Sequence, residues 1–132
     1  MYEFHGWLAL AETPHDIDDG RLDDKIARLQ SLLDTLALSP SIARIVLHNG
    51  RRTLSLHAYP NRCRAEAEHL RRVLDHVVES LPGSYGIVYE RDEQHELPHG
   101  RGLFSALVVK KGRWQAAPDP FLSPNVPEIE DG

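Results

Sequence analysis

Residues 94–100 read QHELPHG, and within them His95, Glu96 and His99 stand in the H-E-x-x-H order of zinc metalloproteases. That chemistry needs both histidines on consecutive turns of one helix, converging on zinc, with the glutamate beside them as general base. Pro98 falls inside the required helix, where it removes a backbone hydrogen bond and its ring strikes the preceding turn, a cost of about 3 kcal/mol. Gly100, Arg101 and Gly102 follow at once, and no apolar stripe flanks the segment to pin a helix on a core. Asp119 is far enough along the chain to serve as a third ligand, but a lone acid before a proline is weak support. The segment therefore reads as a polar loop with exposed histidines, and a small zinc metallohydrolase is kept as the alternative.

The remaining histidines do not assemble a metal site by spacing. His48 and His57 flank Asn49-Gly50, and a two-residue turn there pairs His48 with Arg51 and sets His57 opposite Ile42. His69 and His76 would be two helical turns apart, a rise of about 10 Å. His5, beside Gly6 and Trp7, reads as a strand residue with its ring hydrogen-bonded. The acidic run DIDDGRLDD misses a calcium loop, because counting from Asp16 its glycine comes too early and Ala27 stands where a bidentate glutamate belongs. It is either a solvated helix start or a charged patch for a basic partner. Cys63 lies on an apolar helical stripe and reads as a packed thiol rather than a nucleophile. No nucleophile elbow, phosphate loop or dinucleotide fingerprint occurs.

The elements that must position these residues are legible from periodicity. An apolar and aromatic stretch from Tyr2 to Ala11 predicts a strand closed by the turn-forming ETPHD. Leu22, Ile26, Leu29, Leu33 and Leu36 predict a helix, with Asp18 and Asp19 placed to cap it. Two strands follow around Asn49-Gly50. Cys63, Ala67, Leu70, Leu74, Val77 and Leu81 predict a second helix, capped by Asn61 and ended by Pro82-Gly83, with Arg64, Glu68, Arg71, Arg72 and Asp75 mostly facing out. SYGIVYE and GLFSALVVKK predict two more strands. The order β-α-β-β-α-β-β implies an α+β two-layer sandwich, a mainly antiparallel sheet with two helices on one face. An extended proline-rich tail is expected from about residue 115 to 132, with Phe121 and Leu122 anchored on the body.

The 132 residues suit one domain, 1–132, with no repeat or linker. A formal charge of −5 weighs against nucleic acid or an anionic membrane as partner and favours a basic one. One cysteine and an N-terminus without a basic leader point to the reducing cytoplasm. No apolar run reaches the roughly 18 residues a membrane helix needs. The residues by themselves describe a binding domain without a catalytic set, a generic cytoplasmic interaction module being one form of it.

The opening YEFHGW and the later PGSYGIVYERDE, LVVKKGRW and DPFLSPNVPEIED resemble the immunity protein seven family of bacterial polymorphic toxin systems. The resemblance spans nearly the whole chain, with Asn125 standing where the family pattern has a cysteine. It implies a cytoplasmic, non-enzymatic protein, without cofactor or metal, that binds and neutralises a cognate toxin domain by stoichiometric occlusion. On that reading a basic toxin, a nuclease for example, would meet acids at Asp16, Asp18, Asp19, Asp23 and Asp24 and in the tail at Glu128, Glu130 and Asp131. Trp7 and Tyr85 are candidate interface anchors, and His95, Glu96, His99 and Arg101 a candidate specificity loop. Gly86, Phe121 and Pro124 are assigned to folding.

Overall fold

Tyr2, Phe4, Leu8 and Leu10 are buried while Glu3, His5 and Trp7 between them are not, the period-two pattern of a strand with one covered face. The structure is a computed structural model and describes residues 2–13, 21–59, 63–93 and 102–122. Its elements are β1 (Tyr2–Leu10), α1 (Leu22–Thr35), β2 (Ala43–His48), β3 (Arg51–Ala58), α2 (Cys63–Ser80), β4 (Tyr85–Asp92), β5 (Ser105–Lys110) and β6 (Arg113–Pro118). The strands form one antiparallel sheet in the order β2-β3-β1-β4-β5-β6. Both helices lie on one side of it, so the two-layer α+β sandwich is borne out.

The two helical stripes close the core. Leu29 and Leu33 of α1 and Leu70, Val73, Leu74 and Val77 of α2 pack with Phe4, Leu8, Leu54, Leu56, Val88 and Leu107 of the sheet. Each fully buried aliphatic side chain contributes about 1.5–3 kcal/mol, which outweighs the modest helix propensities of either segment. The N-cap of α1 is Arg21, which makes no side-chain capping bond; Asp18 and Asp19 lie outside the described residues. The helix ends where Ala37 turns to φ +57° and Ala37 and Leu38 donate back to the carbonyls of Asp34 and Leu33. Asn49 and Gly50 both take positive φ, and the hairpin closes with His48 opposite Arg51, as the spacing predicts.

Three expectations need correction. Residues 115–118, expected to begin the tail, continue β6, a sixth strand joined to β5 by a second two-residue turn at Lys111 and Gly112. Its physical reason is Trp114, which packs on the core and donates from Nε1 to Asp75 Oδ1 of α2 at 2.7 Å. Phe121 and Leu122 are exposed, Phe121 at 85%, and the backbone there is held instead by Asp119, whose carboxylate accepts both of their amides. Arg71 does not face out. It grips Glu90 with two parallel bonds, Nη1 to Oε2 at 2.7 Å and Nη2 to Oε1 at 2.9 Å. The Tyr2 hydroxyl donates to Oε2 at 2.5 Å. Glu90 is 0% exposed, and a carboxylate taken out of water needs such partners. Its hydrogen bonds raise the Arg71 pKa above the usual arginine value despite partial burial, so the cation is retained.

The centre of the sheet is set by two glycines. A Cβ at Gly6 would sit 2.2 Å from the Ile87 carbonyl oxygen, and one at Gly86 would sit 2.1 Å from that of Trp7. The β1 and β4 backbones therefore approach in a way no larger residue permits. Gly86→Ala is expected to lower stability by about 3 kcal/mol or more in urea unfolding, because the obstruction is backbone that cannot step aside. Arg71→Met is expected to cost about 3–5 kcal/mol by leaving the Glu90 charge buried and uncompensated, and combining it with Glu90→Gln should return part of that loss in the same assay.

Candidate functional site

Strand alternation sends one set of side chains away from the helices. The register aligns His57, Ser55 and Thr53 of β3 with His5, Trp7 and Ala9 of β1, and these with Tyr89, Ile87 and Tyr85 of β4, while Glu3 stands opposite Arg91. This open face carries large aromatic side chains that the solvent reaches: Trp7 is 45% and Tyr85 46% exposed. Three groups of side chains are arranged on it, and together they form the candidate site.

The first group joins Trp7 and Tyr85, the two anchors expected from sequence. Their rings meet edge to face at 6.0 Å, and the Tyr85 hydroxyl accepts a bond from Arg51 Nη1 at 2.9 Å. Each aromatic residue adjoins a glycine at which β1 and β4 run close, Trp7 beside Gly6 and Tyr85 beside Gly86. The second group was not foreseen. His5 and His57 are paired across β1 and β3, with Nδ1 atoms 2.7 Å apart, and Tyr59 packs edge-on against both rings. His5 Nε2 lies 2.8 Å from Glu3 Oε1. A carboxylate only accepts, so with neutral rings His5 carries its proton on Nε2, its Nδ1 accepts, and His57 donates from Nδ1. The expectation of a strand histidine with a satisfied ring is met.

The third group lies at the far end of β4. Tyr89 and Phe104 meet edge to face at 6.4 Å, and the Arg91 guanidinium stands 5.8 Å from the Phe104 ring centre while its Nε donates to the Gly102 carbonyl at 3.0 Å. Arg91 also reaches Glu3 at 3.6 Å and Glu93 at 3.1 Å, linking this group to the histidine pair. At the β2 margin a recess of about 410 Å³ opens between the turn at Pro40–Ile42 and the strand residues Arg44, Val46, Ser55 and His57.

Of the acids singled out in the sequence, Asp23 and Asp24 are described. They occupy the first turn of α1, in the helical layer, where they complement the helix dipole, and Asp23 is ion-paired with Arg52. The structure does not bring them together with Trp7 and Tyr85. Asp16, Asp18, Asp19, Glu128, Glu130, Asp131 and the loop residues His95, Glu96, His99 and Arg101 lie outside the described residues, as does the Cys63 side chain. The two ends of that loop are placed, however, because Gly102 donates to the Asp92 carbonyl at 2.8 Å beside the Tyr89–Phe104 group. Among the described residues no group of three or more His, Cys, Asp or Glu side chains is set to hold a metal ion. Among them, too, no helix is long and apolar enough to cross a membrane.

An open, aromatic sheet face is compatible with many functions, and the comparison with known families decides among them. The immunity protein 7 family matches residues 1–131. The chain belongs to that family. Its toxin-directed character follows from membership: this is an immunity protein, and its partner is a cognate toxin. Searches of curated proteins and of solved structures returned no match. The blocks of this immunity protein that carried the resemblance, around Gly6-Trp7 and Tyr85-Gly86, meet at the β1–β4 crossing.

The histidine, tyrosine and arginine residues that sequence reading missed become visible only with the strand order. His5 and His57 are 52 positions apart, and nothing in the sequence says that β1 lies between β3 and β4. Long-range ¹⁵N–¹H correlation of the imidazoles above neutral pH should show His5 protonated at Nε2 and His57 at Nδ1, and Glu3→Ala should remove the His5 preference. Finding His57 protonated at Nε2 in the wild-type protein would contradict the pairing.

Proposed function

We propose that the chain acts as a single cytoplasmic domain that binds its cognate toxin stoichiometrically and occludes the toxin's active site or the approach to it. It does so without chemistry of its own and without a cofactor. The observation that carries this reading is the open sheet face with its Trp7–Tyr85 pair. Large, rigid, half-exposed aromatic side chains are the residues that dominate binding energy at protein interfaces, and here the sheet beneath them is fixed before the partner arrives. The lone Cys63 suits a reducing compartment. His95, Glu96, His99 and Arg101 belong to the segment whose ends stand at the Tyr89–Phe104 end of this face, which supports a role for them in choosing among toxins.

A second reading places contact on the acidic start of α1. Asp24 is exposed and Asp23 adjoins it, so with Asp16, Asp18 and Asp19 and the tail acids Glu128, Glu130 and Asp131 they offer a basic toxin, such as a nuclease, a complementary field. Asp23 and Asp24 lie in the helical layer and Trp7 and Tyr85 on the open sheet face, so the two readings separate in one experiment. The protein is co-expressed with the toxin encoded beside it, and the complex is recovered and its affinity measured. On the sheet-face reading Trp7→Ala weakens the complex by about 2–4 kcal/mol while Asp23→Asn with Asp24→Asn leaves it intact. On the second reading the Asn variant slows association and flattens its salt dependence instead. No complex and no protection of the host would sink both.

A further inference from the structure

Charge is distributed unevenly between the layers. By strand alternation Arg44, Arg51, Arg91, Lys110 and Arg113 all belong to the open face, whereas the strands place there one carboxylate, Glu3, followed by Glu93 just past β4 and by Asp119 just past β6, which is buried and accepts backbone amides. This happens in a chain whose formal charge is −5. A face of that sign opposes a basic surface at contact distance, because like charges brought together as water is excluded cost far more than they do in solution.

The recess at the β2 margin gives the asymmetry a specific form. Its lining residues include Arg44, Ser41, Ser55 and His57, with the Ser41 hydroxyl 2.8 Å from that of Ser39. Arg44 and the two serines are residues that recognise a carboxylate, a planar cation able to donate in two parallel bonds and two hydroxyls, while His57, whose Nδ1 proton goes to His5, serves as wall rather than donor. Val46 and the Pro40–Ile42 turn supply an apolar rim for the methylene stem of an acidic side chain. His57 is held by His5, which in turn is held by Glu3, so one wall of the recess is oriented in advance.

Resting on the docking face proposed above, we infer that the toxin presents an acidic segment to this face and inserts an aspartate or glutamate side chain into the recess between Arg44 and His57. The partner's catalytic cleft is thereby not what fills the recess; a carboxylate-bearing loop of the toxin does, and the aromatic groups cover its flanks.

The test uses the full chain. ¹⁵N-labelled protein is titrated with hexaglutamate and, separately, with hexalysine. The acidic peptide should shift resonances of Ser41, Arg44, Ser55 and His57, and the basic one should leave them in place. Affinity for the co-purified toxin is then measured for Arg44→Gln, Arg44→Glu and Trp7→Ala. Arg44 is exposed on an edge strand, so its variants should unfold like the wild type. Expected losses are about tenfold for Arg44→Gln and about 100-fold for Arg44→Glu. A hexaglutamate titration silent at those four residues, or full toxin affinity in Arg44→Glu, overturns the proposal. If Trp7→Ala loses toxin and Arg44→Glu does not, the docking face stands and the acidic segment falls. If neither variant changes affinity, the docking face itself has failed and takes this inference with it.

Discussion

The β1 and β4 backbones run so close at Gly6 and Gly86 that a single added carbon would meet the opposite carbonyl oxygen, and much of the molecule is arranged around that crossing. β1 is a central strand, hydrogen-bonded to β3 on one side and β4 on the other, so it is paired with residues from both halves of the chain. On the covered side the crossing brings Tyr2 and Glu90 within reach of α2. On the open side it sets Trp7 and Tyr85 edge to face. A change at either glycine would disturb the core and the candidate interface at once, because the same two strands carry both.

The two faces of the sheet solve opposite problems. The covered face holds a fully buried carboxylate, Glu90, which is tolerable only because Arg71 binds it through both oxygens and Tyr2 donates a further bond. That network ties α2 to β1 and β4 and fixes how the helical layer sits. The open face gathers polar side chains and aromatic rings that contact one another rather than a core, in three groups, two of which are linked through Glu3, Arg91 and the histidine pair. Ordering them in the unbound protein removes part of the entropy that a partner would otherwise have to overcome.

Much of this was legible before the structure was known. The helical stripes from Leu22 to Leu36 and Ala67 to Leu81, the Asn49-Gly50 hairpin and its register, and the two-layer class follow from periodicity and turn chemistry. What escaped has physical causes. Lys111-Gly112 lacks the asparagine that marks a two-residue turn, and the prolines beyond it read as tail, so β6 was missed although Trp114 and Ala116 alternate inward. Arg71 lies at the rim of a helical wheel, where a long side chain can turn either way. The deciding signal was on another element: Glu90 shares the parity of Val88, and a carboxylate on the inner face of a strand calls for a cation. The site was half visible, since Trp7 and Tyr85 stand in the motifs that carry the family resemblance. The histidine pair, Arg44 and the recess depend on which strands become neighbours, and local pattern does not encode that.

Dimensions bear on whether one face suffices. Six strands at a spacing of about 4.8 Å span roughly 25 Å, and strands of six to nine residues at about 3.3 Å per residue run roughly 20–30 Å. The open face then offers on the order of 600 Å², against the roughly 800 Å² per partner that stable complexes of ordinary size bury. The shortfall is small, and elements at the margins are placed to make it up: Tyr59 at the end of β3, the Pro40–Ile42 turn beside the recess, and the Phe104 end where the 94–101 segment begins and ends. A constant sheet would then supply most of the contact, while the margins, where chain length and composition can vary without disturbing the β1–β4 crossing, would set which toxin is accepted.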